Sequence, residues 1–119
     1  MTDNSLTNIS VSARRLDTET VVVVVTGEID MATVPRLRET VNDEMAACRS
    51  LVLDLSKVSF LGSAGLEVLV EVLHMATSRQ VSLCLVADSR TVRRPLEITG
   101  LAEMFTIYPT LDDALPTTP

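Results

Sequence analysis

Between Leu51 and Val70 the hydrophobic pattern changes period, and that change restricts the chain to folds in which a buried strand runs directly into an amphipathic helix. Leu51-Val52-Leu53-Asp54-Leu55 is a nearly unbroken apolar run of strand length, as expected for a strand covered on both faces. From Leu66 the residues Leu66, Leu69, Val70 and Leu73 recur at i, i+3, i+4 and i+7, which is one face of a helix. Ser63 lies at the junction, and the helix is expected to begin at Gly62 or Ser63. The first turn of a helix leaves backbone N–H groups unpaired and carries partial positive charge. A serine there can cap the helix or hold a phosphate.

The rest of the chain alternates in the same way. Ile9, Val11 and Ala13 alternate with Ser10, Ser12 and Arg14, as in a half-exposed strand. After the polar break Asp17-Thr18-Glu19, Val21 to Thr26 reads as a buried strand, so the two form a hairpin. Val34, Leu37, Val41, Met45 and Cys48 recur at helical spacing, with Thr33 as the expected cap and Pro35 in the first turn. Val81 to Val86 is a further buried strand. A third helix is predicted from Ser89 to Thr99, stopping at Gly100, with Pro95 either delaying its start or kinking its middle. Phe105 to Tyr108 adds a short edge strand and Leu111 to Leu115 a last turn of helix. This order predicts an α/β fold with a mixed open β-sheet: an N-terminal antiparallel hairpin, then mainly parallel strands, with about four helices. Residues 8–115 form the single expected domain, between flexible segments 1–7 and 116–119.

A length of 119 residues with 46% hydrophobic content suits one core. A net charge of -6 argues against a direct nucleic-acid partner, because neutralising phosphates takes lysines and arginines. Met1-Thr2-Asp3-Asn4-Ser5 has neither the basic start nor the apolar stretch of a secretory signal, and the longest apolar run, Val21 to Val25, is too short to span a bilayer. No membrane association and a cytoplasmic location are therefore expected. Cys48, Cys84 and His74 do not make up a four-ligand zinc set, so no metal is expected. The two cysteines read as small buried hydrophobes, with a redox pair open only if the fold brings them together.

Catalysis is not supported. Gly62-Ser63-Ala64-Gly65 is not the G-x-S-x-G nucleophile turn. His74, the one histidine, lies on the same helix as Ser63 but about 16 Å along it, far beyond hydrogen-bond reach. No Gly-Lys-Ser/Thr phosphate loop is present. The chain is read as a non-enzyme without cofactors. Asp54 is expected to be a structural acceptor at the strand end.

Three segments together carry a family resemblance: Gly27-Glu28-Ile29-Asp30; Leu53-Asp54-Leu55-Ser56-Lys57-Val58-Ser59-Phe60-Leu61-Gly62-Ser63-Ala64-Gly65-Leu66; and Ile98-Thr99-Gly100-Leu101. In order and spacing they resemble a STAS domain, specifically a bacterial anti-sigma factor antagonist of the SpoIIAA-like family, over about Ile9 to Leu115. The resemblance implies a partner switch in transcription regulation and stress response. Such proteins bind an anti-sigma factor, usually a serine kinase of the histidine-kinase-like ATPase fold, and so release its sigma factor. The kinase phosphorylates the antagonist at the start of the second helix, which ends binding, and a serine/threonine phosphatase restores it.

Carried over by position, the acceptor is Ser63, and Asp30, Gly62, Ser63, Ala64 and Gly65 make up the partner-binding surface of a monomer or weak dimer. Two departures stand out. Where the family often has an aspartate before the acceptor and a second hydroxyl residue after it, this chain has Gly62 and Ala64. Ala64 leaves Ser63 as the single hydroxyl there, and Gly62 removes a carboxylate from the contact surface. Both leave open the alternative of a non-phosphorylated STAS scaffold or ligand-sensing module in a signalling assembly.

Overall fold

The structure, a computed structural model, describes residues 8–115; the terminal segments 1–7 and 116–119 lie outside it. The chain order is β1 (Ile9–Arg15), β2 (Thr20–Ile29), α1 (Val34–Met45), β3 (Ser50–Leu61), α2 (Ser63–Arg79), β4 (Ser82–Val86), α3 (Arg90–Ile98), a 3₁₀ turn (Leu101–Met104), β5 (Ile107–Tyr108) and α4 (Leu111–Ala114). The five strands form one sheet in the order β1-β2-β3-β4-β5. β1 and β2 are antiparallel and every later pairing is parallel, as the alternation of elements predicted.

The hairpin closes on Asp17, whose Oδ1 accepts the backbone N–H groups of Glu19 and Thr20, each at 2.8 Å. These bonds hold the Asp17 carboxyl below the usual carboxylate range.

The apolar run of β2 is unbroken because both sheet faces are covered. On one face Val21, Val23, Val25, Leu51, Leu53 and Leu85 pack with Leu37 and Val41 of α1, Val68, Leu69 and Val72 of α2, and Val92 and Leu96 of α3. On the other, Val22, Val52 and Val86 meet Cys84 and the α4 segment through Leu111, Ala114 and Leu115. A cavity of about 560 Å³ on this second side is lined by Thr20, Ser50 and Ser82, where β2, β3 and β4 begin, and by Asp113, Ala114 and Leu115.

Several local expectations change. Ala13 is exposed although it alternates with polar residues. α1 ends at Met45, so Cys48 lies beyond it although its spacing fits the helix. Thr33 makes no side-chain cap to α1. Pro95 does not delay α3, which starts after Ser89 and continues through the proline; Gly100, at φ +80°, follows its C-terminal cap Thr99. Both resemblance-bearing strands run further than their apolar cores: β2 continues to Ile29 and β3 to Leu61.

The cysteines are not brought together. Cys48 packs on the helix-covered face and Cys84 on the α4 face, and both are free thiols.

Candidate partner-binding site

β3 outruns its neighbour. β4 leaves the sheet at the pair Asp54 and Val86, while β3 continues beside β2 to Leu61. Asp54 marks the departure point: it is buried, and its Oδ1 accepts the N–H of Ser56 at 3.0 Å and the Ser56 hydroxyl at 2.7 Å. Beyond it the register of β2 and β3 shifts twice, between Val24 and Thr26 and between Gly27 and Glu28. Each shift inserts an extra residue on β3, and such bulges increase the local twist and re-aim side chains. The last two pairs are Glu28 with Phe60 and Ile29 with Leu61. Ile29 and Leu61 face the core, so Glu28 and Phe60 face away from it.

The N-terminal strand is locked to this overhang. The Glu28 N–H donates to the Asn8 carbonyl at 2.7 Å. Gly27 permits that approach: its φ is +108°, and a Cβ there would lie 2.2 Å from the Asn8 oxygen.

The loop after β2 is fixed by two side chains. Asp30 Oδ1 accepts the N–H groups of Ala32 at 2.9 Å and Thr33 at 3.1 Å. Thr33, buried, turns back toward β2, donating from Oγ1 to the Glu28 carbonyl at 2.7 Å and accepting the Asp30 N–H at 2.9 Å. The Asp30 carboxylate thus caps the turn leading into α1, and the Val34 N–H, first in the helix, donates to the Asp30 main-chain carbonyl at 3.0 Å. Across the gap, the Gly62 N–H donates to the Ile29 carbonyl at 3.0 Å, joining the start of α2 to the end of β2.

Ser63 is the first residue of α2, after Gly62 as the cap, and it is exposed. The first intrahelical bond runs from Leu66 N–H to the Gly62 carbonyl, so the N–H groups of Ser63, Ala64 and Gly65 precede the ladder. An added anion at Ser63 would meet the positive end of a 17-residue helix.

The other residues assigned to this surface divide. Asp30, Gly62 and Ala64 are partly accessible, whereas Gly65 is buried. A Cβ on Gly65 would come within 2.5 Å of Leu61 Cδ1 and 2.7 Å of Ile29 Cγ2. Gly65 therefore lets α2 pack closely against the ends of β2 and β3. From Ser63 the exposed side of α2 continues into a shallow groove of about 350 Å³, lined by Leu66, Glu67, Val70, Thr99 and Leu101.

Two residues given no role by sequence reasoning also lie at this edge. Phe60 is 50% exposed and Met31 81% exposed. The available signal was Phe60 itself, an aromatic next to Ser59 in a segment whose core-facing places are taken by Val58 and Leu61.

Further along α1 and α2, Arg38 holds Glu71 through two hydrogen bonds of 2.9 and 3.1 Å. This contact lowers the Glu71 carboxyl below its usual range. Among the described residues there is no cluster suited to a metal ion, and no helix is long and apolar enough to cross a membrane.

An α/β sheet of this order, with a serine at the mouth of the second helix beside a tied aspartate loop, defines a class. The STAS domain family matches residues 11–114, and the chain belongs to it. Within that family it stands with the bacterial anti-sigma factor antagonists. It is 39% identical over 99 residues to the anti-sigma-F factor antagonist RsfB of Mycobacterium tuberculosis, covering 79% of this chain and 77% of the relative. It is 35% identical over 101 residues to the anti-sigma-B factor antagonist of Listeria monocytogenes, covering 84% and 89%. The crystal structure of an anti-sigma factor antagonist from Mycobacterium paratuberculosis superimposes with a TM-score of 0.81 at 40% identity, covering 89% of this chain and 90% of that one. These relatives are named for regulation, not for catalysis.

Proposed function

We propose that residues 8–115 act as an anti-sigma factor antagonist in the cytoplasm, as a monomer or weak dimer. The edge formed by Asp30, Gly62, Ser63 and Ala64 binds an anti-sigma factor, a serine kinase, and frees the sigma factor that it holds. Phosphorylation of Ser63 ends the complex, and a serine/threonine phosphatase restores it. The observation that carries this reading is the placement of Ser63: exposed, first in α2, and next to a loop held rigid by Asp30 and Thr33.

The energetics fit a switch that leaves the fold intact. Phosphorylation adds about -1.5 to -2 charges near neutral pH. At a helix N-terminus that charge is favoured by roughly 0.3–1 kcal/mol, so its effect falls on the interface. Opposing or stranding a charge there costs on the order of 2–5 kcal/mol, and moving a dissociation constant from micromolar to millimolar takes about 4 kcal/mol.

The test is affinity capture from native extract with the wild-type chain, Ser63→Ala and Ser63→Glu, partners being identified by mass spectrometry. Wild type and Ser63→Ala should retain a kinase-fold anti-sigma factor that Ser63→Glu loses. Equal capture by both variants would move the chain to the scaffold or ligand-sensing class.

A further inference from the structure

We infer that Phe60 and Met31 are the apolar anchors of this surface, and that residue 62 is glycine so that the Phe60 ring can lie against the chain beside Ser63. The inference rests on the anti-sigma factor reading above and names the contacts that reading leaves open.

Gly62 has φ -92° and ψ -177°, a conformation open to any residue, so backbone geometry does not call for glycine. What a side chain would meet is Phe60: a Cβ at position 62 would lie 3.0 Å from its Cε2 and 3.4 Å from its Cζ. The ring occupies the volume into which residue 62 would otherwise project, yet half of Phe60 remains exposed. An aromatic already held against backbone has little rotamer freedom left to lose on docking.

Met31 complements it. It follows Asp30 in the loop that Asp30 and Thr33 fix, and Ile29, two residues before it, is bonded to Gly62. The loop is rigid while the side chain, unbranched and polarizable, adapts to the opposing surface.

The occupant is the anti-sigma factor, through an apolar-lined face. Aromatic residues and methionine concentrate at the buried centres of protein interfaces. Glu28 and Asp30 beside the patch, in a chain of net charge -6, disfavour an anionic membrane or a nucleic acid. Phosphorylation at Ser63 then places a dianion next to apolar surface that binding must dry, which explains how one phosphate releases the partner.

The experiment uses the full chain. The anti-sigma factor recovered from extract by wild type is purified and titrated calorimetrically with wild type, Phe60→Ser, Met31→Ser, Gly62→Ala and Phe60→Tyr, with thermal melts establishing that each variant is folded. Phe60→Ser and Met31→Ser should each weaken binding at least tenfold, Gly62→Ala severalfold by displacing the ring, and Phe60→Tyr less than twofold. Affinity within twofold of wild type for Phe60→Ser and Met31→Ser, while Ser63→Glu still abolishes binding, would overturn the anchors and leave the Ser63 switch standing. Failure of wild type to recover any anti-sigma factor would instead remove the proposed function, and this inference with it.

Discussion

Glycines 27, 62 and 65 all lie within the resemblance-bearing segments, and each is small for a different reason. Gly27 needs both its positive φ and its missing side chain, because the Asn8 carbonyl occupies the space a Cβ would take. Gly27→Ala is therefore expected to lower stability by about 1–3 kcal/mol, read from urea unfolding midpoints. Gly65 is a packing residue, and Gly62 leaves room for a ring. Sequence showed where Ser63 sits because the hydrophobic period changes beside it. It did not show the exposure of Phe60 and Met31, which depends on two register shifts and a strand overhang that no local pattern encodes. Nor could it separate Gly65 from its neighbours: whether a helical glycine faces a partner or the sheet is decided by the packing of α2 on Ile29 and Leu61.

The elements were legible where burial is regular and obscure where it is not. Val21–Val25 and Leu51–Leu55 marked β2 and β3, but Ser56, Lys57 and Ser59, with Val58 the single buried residue among them, hid the continuation of β3, whose backbone pairing with β2 persists through two register shifts. Cys48 matched the helical spacing of α1 because three residues after Met45 is a legitimate helical step, although the chain leaves the helix at Ala46. Threonine at the start of α1 was an ordinary capping signal. The carboxylate of Asp30 instead holds the Ala32 and Thr33 N–H groups of the turn that leads into the helix, and the buried Thr33 hydroxyl serves the Glu28 carbonyl. Asp30→Ala should accordingly reduce stability by about 0.5–2 kcal/mol in denaturant titrations. Any loss of partner binding by that variant has to be compared with Ser63→Glu, which leaves the loop bonds untouched.

At the scale of the whole molecule, the sheet separates the two thiols. Oxidation of the folded chain with diamide is expected to yield no intramolecular Cys48–Cys84 disulfide by non-reducing mass analysis. Burial raises both thiols above their ordinary values, so reaction with a thiol reagent near neutral pH should be slow and should accelerate on unfolding. Acid acts elsewhere. Asp17, through the backbone N–H groups of Glu19 and Thr20, and Glu71, through Arg38, both titrate lower when folded. The stabilisation they give is present above the unfolded carboxyl values, 3.8 for Asp17 and 4.5 for Glu71, and is lost as the pH falls through the lower folded values. Thermal melts between pH 5 and 3 should show a falling midpoint, with a shallower fall in Asp17→Asn.

The bond between the Glu28 N–H and the Asn8 carbonyl also bears on how the chain should be handled. It brings the incoming backbone at Asn8 onto the end of β2, the strand next to β3, where Glu28 pairs with Phe60. The outgoing backbone, at Leu115, sits with Thr20, Ser50 and Ser82 at the edge where the parallel strands begin. A purification handle or fluorescent fusion joined at the front of the chain enters the fold through Asn8, beside the surface under test, whereas one joined at the back leaves it from Leu115, at the opposite end of the parallel strands. Capture and titration experiments are best built on the second arrangement, and a signal lost only when the handle is moved to the front would itself map the docking edge.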